Sequence, residues 1–236
     1  GILTVTRADF LGLLMKNYPN AICISGTHGK TTTTSLISQI FLDMDTDPTI
    51  MVGGILPSIG GNTRIGHSGN FITEACEYTN SFHSFFPTTE VVLNVKADHL
   101  DFFKDLDDIR NSFRTYTHLL PEHGSLVING EIDDLDFFTE GLPCKVLTFG
   151  LHGDFDLTAR NISYNTAYPS YDLYCAGEYI CPVTLHIPGE HNVYNSLAAL
   201  AVCQSLGMDL IKAAECMEHF HGVDRRFQFK GSLGGV

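Results

Sequence analysis

The chain has 236 residues, and 14 Lys and Arg against 27 Asp and Glu give it a formal net charge of −13. This acidic excess repels phosphate backbones, so we predict a protein that does not bind nucleic acid. With 44% hydrophobic and 17% charged residues, the composition is that of a folded domain and excludes a mostly disordered chain.

The sequence also lacks the features of membrane proteins and of disulfide-bonded proteins. No apolar run approaches the ~20 residues that cross a bilayer, and no charged-then-apolar signal segment opens the chain. The seven cysteines include no Cys-x-x-Cys pair, which disfavours a zinc ribbon or a disulfide framework. We therefore expect a cytoplasmic protein without membrane contact.

Helical and strand patterns alternate through the first 150 residues. Residues 7–15 have apolar positions at helical spacing, 21–25 form a short apolar run typical of a buried strand, and 31–44 predict a second helix. This alternation predicts an α/β fold with a mostly parallel sheet flanked by helices. Further strands are expected at 71–72, 90–95, 125–128 and 146–149, and a further helix at 106–120.

The pattern changes after residue 150. Residues 154–187 alternate with the strand period and contain no helical stretch, which predicts a small antiparallel sheet appended to the parallel one. Helices are expected again at 192–206 and 209–220. The glycine-rich segment 53–69 predicts a loop, either a flexible surface loop or one that folds over a substrate.

The segment Ser-Gly-Thr-His-Gly-Lys-Thr-Thr at 25–32 carries the strongest chemical signal. It follows a predicted buried strand and opens a predicted helix, where backbone N–H groups and the helix dipole favour anions. Glycines let the backbone approach phosphate oxygens, Lys30 adds a positive charge, and the Thr31 hydroxyl can bind magnesium. The segment therefore predicts a P-loop-type phosphate site.

Four further motifs follow in order: TEACE at 73–77, NVKADHLD at 94–101, GEHNVYN at 189–195 and GVDRRF at 222–227. The Asn-Lys-x-Asp motif with which GTPases bind guanine is missing from the sequence. Together with the phosphate loop, this ordered set resembles the Mur ligases, which build the peptide of bacterial cell-wall precursors. The resemblance runs from about residue 7 to residue 226 and matches the central ATPase domain of that family.

The resemblance implies ATP-dependent formation of an amide bond through an acyl phosphate. Within the family it implies the reaction that joins L-alanine to UDP-N-acetylmuramate. Two alternatives stay open: a recycling ligase that joins a whole peptide to UDP-N-acetylmuramate, and a nucleotide-binding module without catalytic activity. The implied cofactors are ATP and Mg²⁺, with Mn²⁺ as a substitute because imidazole suits softer metals.

The resemblance also assigns roles to particular residues. Lys30, Glu74 and His99 are implied to be catalytic, and the metal ligands are implied to be Thr31, Glu74 and His99. From the residues alone, Asn192 could also be a simple helix cap. The implied nucleotide-binding residues are Gly26, Thr27, His28, Gly29, Lys30, Thr31, Thr32, His191, Asn192 and Arg226.

A domain division follows from the same resemblance. Residues 1–20 are expected to be a linker with a lead-in helix, and residues 21–226 the central ATP-binding domain. Residues 227–236 are expected to begin a linker to a C-terminal domain. The implied partners of this domain are the N- and C-terminal domains of one longer parent chain.

Overall fold

The computed structural model describes residues 4–164 and 168–223. Ten strands form one sheet within these residues. They are β1 (Asn20–Ser25), β2 (Thr49–Leu56), β3 (Gly61–Arg64), β4 (Asn70–Glu74), β5 (Thr89–Val92), β6 (Ser125–Asn129), β7 (Lys145–Gly150), β8 (Leu157–Ser163), β9 (Ser170–Cys175) and β10 (Glu178–Thr184). Their order across the sheet is β10-β9-β8-β7-β6-β5-β1-β4-β2-β3.

Six α-helices and two 3-10 segments connect the strands in the part of the chain that the structure describes. No helix in that part is both long and apolar enough to span a bilayer. The helices are α1 (Arg7–Met15), α2 (Lys30–Asp43), α3 (Leu106–Thr117), α4 (Asp136–Thr139), α5 (Glu190–Ser205) and α6 (Leu210–Met217), and the 3-10 segments are Pro57–Ile59 and Tyr78–Ser84.

The sheet separates two hydrophobic cores, because alternate residues of a strand face opposite sides. On β1, Ile22 and Ile24 belong to the core under α2, α5 and α6. Ala21 and Cys23, on the other face, belong to the core under α1 and α3. All four are fully buried. This confirms the predicted α/β class, a mostly parallel sheet flanked by helices.

The predicted antiparallel region is also confirmed, and it continues the same sheet. β8 pairs in parallel with the end of β7, where Phe149 lies opposite Leu157. β9 and β10 then add in antiparallel fashion. Tyr171 and Val183 of these strands are buried in the core under α5 and α6. The antiparallel end of the sheet is therefore packed under the same helices as the parallel centre.

The prediction that 53–69 contains no regular element is wrong. β2 runs through Gly53 and Gly54 to Leu56, and a 3-10 turn leads into β3. Gly60 closes the turn with φ of 63°, a conformation that favours glycine. Arg64 donates hydrogen bonds to the carboxylate of Asp47 and to the carbonyl of Pro48, which ties the hairpin to the preceding loop.

Candidate active site

The predicted phosphate loop, residues 26–32, lies between the end of β1 and the first turn of α2. Gly26 and Gly29 have φ of 135° and 91°, where residues with side chains are strained. A Cβ at Gly26 would lie 2.9 Å from Cβ of Leu93, and a Cβ at Gly29 would lie 2.6 Å from Oδ1 of Asn195. The loop therefore requires glycine at both positions, for its conformation and for its contacts.

The first turn of α2 offers free backbone donors to an anion. The helix begins at Lys30 with Gly29 as its N-cap, and no side chain caps this end. The first N–H groups of a helix have no carbonyl partner within it, and the helix dipole adds partial positive charge there. Thr31 is buried and Thr32 is half-buried in this turn. This end of α2 is therefore suited to bind phosphate oxygens.

The chain that follows β5 fixes the first half of the loop. The Asn94 carbonyl accepts from the Thr27 N–H at 3.1 Å, and the Asn94 side chain exchanges two hydrogen bonds with the His28 backbone, at 2.9 and 3.0 Å. The Lys96 N–H donates to the Thr27 hydroxyl at 2.9 Å. Because the N–H groups of Thr27 and His28 are used in this way, the donors for an anion are those of the following residues.

Lys30 reaches back across the loop to a buried carboxylate. Its Nζ lies 2.9 Å from Oε2 and 3.1 Å from Oε1 of Glu77. It also donates to the carbonyls of Gly26 at 2.5 Å and Thr27 at 3.3 Å. The side chains of Lys30 and Glu77 are 16% and 3% exposed, so this ion pair is largely shielded from water.

Thr31 and Glu74 border the same pair of glycines on β2. Glu74 ends β4, and its Oε1 accepts from the N–H of Gly53 at 2.5 Å. A Cβ at Gly54 would lie 3.3 Å from Cγ2 of Thr31. A hydroxyl and a carboxylate are oxygen ligands of the kind that magnesium prefers, so the chemistry of this pair fits that metal.

His99 lies on the other side of Glu77. Its Nε2 is 3.8 Å from Oε1 of Glu77, and its ring centroid is 4.7 Å from that of Tyr78. The Tyr78 hydroxyl donates to Asp101 at 2.8 Å, which fixes the ring beside the histidine. The His99 backbone has φ of 52°, and its carbonyl accepts from the N–H groups of Phe102 and Phe103. The histidine is therefore held by a tight turn.

Glu77 thus joins two of the predicted catalytic residues, Lys30 and His99. Glu74 makes no hydrogen bond or ion pair with His99 among the contacts of the described residues. Residues 4–164 and 168–223 contain no group of three or more His, Cys, Asp or Glu side chains arranged to hold a metal ion. The assignment of Thr31, Glu74 and His99 as metal ligands stays a prediction.

The first turn of α5 meets the phosphate loop. His191 and Asn192 lie inside this turn, because the helix begins at Glu190 after an N-cap at Gly189. Asn192 is buried and is not a simple helix cap. Its Nδ2 donates to the Pro188 carbonyl at 2.7 Å, and its Oδ1 accepts from Asn195 at 2.9 Å. The remaining predicted nucleotide residue, Arg226, lies outside the described residues.

Two clefts open beside the loop, of about 790 and 830 Å³, each large enough for a nucleotide. One extends towards the ends of β5 and β6 and is lined by Lys96, Arg110 and Tyr194. The other extends towards Gly53, Gly54 and Val223. The residues that line both clefts are His28, Gly29, His191 and Asn195.

Glu131 organises the wall of the first cleft. Its carboxylate accepts from the N–H groups of Leu151 at 2.5 Å and His152 at 2.9 Å, and from the Tyr194 hydroxyl at 2.8 Å. Burial alone would raise the pKa of Glu131, but these three donors outweigh it and lower that pKa. Burial and the neighbouring carboxylate raise the pKa of Tyr194. This network connects the ends of β6 and β7 to α5.

Glu77 and Asn195 are two of the site residues that were not predicted. Glu77 belongs to the TEACE motif, but nothing in the sequence indicates that it pairs with Lys30. Asn195 follows Asn192 by three residues, which places both on one helix face. Asn195 is 5% exposed, and the signal for this burial in the sequence is its position in a largely apolar helix.

Comparison with known proteins identifies the family. The sequence model of the Mur ligase middle domain matches residues 24–203. The UDP-N-acetylmuramate–L-alanine ligase of Lachnospira eligens is 51% identical over 238 aligned residues, which cover 100% of this chain and 52% of that protein. The enzyme of the same name from Agathobacter rectalis is 50% identical, with coverage of 100% and 52%. The chain thus spans about half the length of these curated relatives.

Solved structures agree with this result. The structure of UDP-N-acetylmuramate-alanine ligase from Thermotoga maritima matches with a TM-score of 0.83 and 28% identity, over 97% of this chain and 51% of that one. The UDP-N-acetylmuramate:L-alanyl-gamma-D-glutamyl-meso-diaminopimelate ligase from Neisseria meningitides matches with a TM-score of 0.81 and 28% identity, over 92% and 71%. The chain therefore belongs to the Mur ligase family, whose middle domain it contains at residues 24–203.

Proposed function

We propose that this chain is the ATP-binding part of an enzyme that joins L-alanine to UDP-N-acetylmuramate. The observation that carries the nucleotide half of this proposal is the loop after β1, where His28 and Gly29 line both clefts at the uncapped first turn of α2. The substrate half rests on relatives of that name, which are similar to this chain over its whole length.

The reaction requires activation of a carboxylate, because an amine does not displace oxide from it. Transfer of the γ-phosphoryl group of ATP to a carboxylate oxygen gives an acyl phosphate and ADP. The amine then attacks the acyl carbon, the amide bond forms, and phosphate leaves. The N–H groups at the start of α2 and the Lys30 ammonium would stabilise the charge on the migrating phosphoryl group.

Thr31 and Glu74 are proposed to hold one magnesium ion and His99 a second, with manganese as a substitute. Bound metal would neutralise the crowded phosphate oxygens. The first assignment is supported by the positions of the two side chains, since Thr31 lies beside Gly54 and Glu74 accepts a hydrogen bond from the adjacent Gly53. The exposure of the His99 side chain, 35%, supports the second, because a metal ligand needs an accessible ring nitrogen.

His191 and Asn192 are proposed to contact the nucleoside, with Arg226 as a third contact. His191 lines both clefts, and Asn192 lines one and is fixed by Asn195. Asn192 accepts a hydrogen bond from Asn195 and donates one to the Pro188 carbonyl, which leaves the first turn of α5 with little freedom. A rigid turn at this point would orient the nucleoside relative to the phosphate loop.

The same proposal covers the parent protein. Because relatives are about twice as long, we propose residues 1–20 as a linker with α1, residues 21–226 as the central domain, and residues 227–236 as the start of a linker. N- and C-terminal domains of the parent chain would complete the substrate site. We infer a cytoplasmic enzyme that binds small molecules and neither nucleic acid nor membrane, in line with its net charge of −13.

The competing substrate is a peptide, and the similarity to the ligase from Neisseria meningitides favours testing it. The full-length protein should be assayed for phosphate release with ATP, UDP-N-acetylmuramate and either L-alanine or the tripeptide L-alanyl-gamma-D-glutamyl-meso-diaminopimelate. Release with L-alanine alone supports the proposal, whereas release with the tripeptide alone favours the recycling ligase. A protein that binds ATP and releases no phosphate with either amine would be a nucleotide-binding module.

A further inference from the structure

Glu77 has a buried carboxylate at the centre of the site, and the proposed reaction assigns no role to it. Its side chain is 3% exposed and lies within 3.1 Å of the Lys30 ammonium through both oxygens. A buried carboxylate is costly unless a positive charge compensates it. Lys30 is therefore the counter-charge of the buried Glu77 carboxylate.

The contacts of Lys30 use all of its hydrogen-bonding capacity. An ammonium group has three donors. In Lys30 these donors serve the carbonyls of Gly26 and Thr27 and the carboxylate of Glu77. A phosphate oxygen can bind the ammonium only by displacing one of these acceptors. The two carbonyls are neutral and belong to the phosphate loop itself. The carboxylate is therefore the charged acceptor that competes with a phosphate for the Lys30 ammonium.

The backbone around Glu77 is held in place, whereas the Lys30 side chain is long and partly exposed. The Ala75 N–H donates to the Ile24 carbonyl at 2.8 Å, which attaches the segment to β1. Thr79 and Asn80 follow with φ of 57° and 55°, two consecutive residues in a conformation that a side chain strains. Lys30, by contrast, has four rotatable side-chain bonds and is 16% exposed.

We propose that Glu77 is a latch on the phosphate loop: its carboxylate competes with the phosphates of ATP for the Lys30 ammonium. Binding of the nucleotide then requires the ion pair to exchange, so part of the affinity for polyphosphate is lost to Glu77. This proposal rests on the proposed function, because it concerns the same lysine. If Glu77 competes for Lys30, removing its charge should strengthen ATP binding. If Glu77 merely held Lys30 in place for the nucleotide, the same change should weaken ATP binding.

The test compares Glu77→Gln with Glu178→Gln, which removes the same charge from an exposed residue on β10. Binding of ATP and of adenosine is measured by calorimetry with EDTA present, so that no divalent cation contributes. A charge-assisted hydrogen bond is stronger than a neutral one, so the amide that replaces the carboxylate should compete less strongly for the Lys30 ammonium. Glu77→Gln should therefore bind ATP about ten- to a hundredfold more tightly than the unchanged protein. Adenosine binding, and both affinities of Glu178→Gln, should stay within about twofold.

Equal or weaker ATP binding by folded Glu77→Gln would overturn the latch while leaving the proposed nucleotide site intact. Absence of ATP binding by the unchanged protein would overturn the proposed function and the latch together. A second measurement does not depend on any variant. In a crystal structure of the unchanged protein with ATP, Lys30 Nζ should lie more than 4.0 Å from both Glu77 oxygens, and an ion pair retained at 2.9 Å would refute the proposal.

Discussion

Substitution of Lys30 should affect the stability of the fold as well as catalysis. Lys30→Met removes the ammonium and leaves the Glu77 carboxylate, 3% exposed, without a counter-charge. Removing one partner of a buried ion pair costs about 3–5 kcal/mol. Because Lys30 is itself 16% exposed and water can reach the vacated space, we expect about 2–4 kcal/mol here.

The double variant Lys30→Met/Glu77→Gln isolates the interaction. Glu77→Gln alone keeps an amide oxygen near Lys30, so we expect a loss of about 1–2 kcal/mol. The double variant has no buried charge at this point. Its loss of stability should therefore be smaller than the sum of the two single losses, by at least about 1 kcal/mol. Urea denaturation followed by circular dichroism measures all four free energies of unfolding.

A matched pair on the surface provides the control. Arg110 and Asp134 are 3.0 Å apart, against 2.9 Å for Lys30 and Glu77, but Asp134 is 65% exposed, so Arg110→Met and Asp134→Asn should couple far more weakly. If the effects of Lys30→Met and Glu77→Gln add to within about 0.5 kcal/mol, the buried ion pair does not contribute as argued. The size of this coupling also affects how the kinetics of Lys30→Met are interpreted. If the ion pair is strongly coupled, part of the lost activity comes from unfolding of the variant.

Three further substitutions test other parts of the molecule. Glu90→Leu should stabilise the fold increasingly as the pH rises, by about 1.4 kcal/mol per pH unit between the unfolded and native pKa values of Glu90, measured by urea denaturation from pH 5 to 8. Gly29→Ala should abolish ATP binding measured by calorimetry, because its Cβ would lie 2.6 Å from Asn195 and its φ is 91°. His99→Ala in the full-length enzyme should lower kcat at least about tenfold while the Kd for ATP changes by less than about twofold.

The direction of the Glu90 effect follows from its burial. The carboxyl group is fully buried on β5 and, within the described residues, accepts no hydrogen bond, so burial raises its pKa well above the ordinary value. In this pH range the native state keeps a proton that the unfolded state has released, and stability therefore falls as the pH rises. Parallel pH profiles of Glu90→Leu and the unchanged protein would contradict this account, and Glu178→Gln provides a control at an exposed site.

Unchanged ATP affinity in Gly29→Ala would show that the loop tolerates a side chain at its tightest point. For His99→Ala, equal losses in kcat and ATP affinity would contradict a role confined to the chemical step. Each variant should first be checked by circular dichroism, since the glycine lies against Asn195 and the histidine carbonyl anchors a turn.

The central elements could be predicted from sequence because their signals are local. β1, the glycine loop and α2 are consecutive, so an apolar run, two glycines and a helical pattern suffice to place them. β5 ends three residues earlier than expected, at Val92. The apolar residues after it leave the strand because the chain there turns to hydrogen-bond with the phosphate loop.

The contacts that complete the site could not be predicted in this way. Lys30 and Glu77 are 47 residues apart, and their contact depends on β4 pairing with β1 in the register that sets Glu74 opposite Ile24. Similarly, the requirement for glycine at position 29 comes from Asn195, on a helix far along the chain. Registers and helix positions are set by packing of the whole sheet, which no local pattern encodes.

The strand order explains why these distant residues meet. β1 lies between β5 and β4, although both of these strands come after it in the sequence. The helix after β1 covers the face that α5 and α6 share, whereas α3, after β5, covers the opposite face. In such sheets ligands bind outside the carboxyl ends of the strands where the connections diverge. The phosphate loop, Asn94 and Glu77 all follow strands that end there, so the position of the site follows from the topology, and its charges follow from the residues that each strand end contributes.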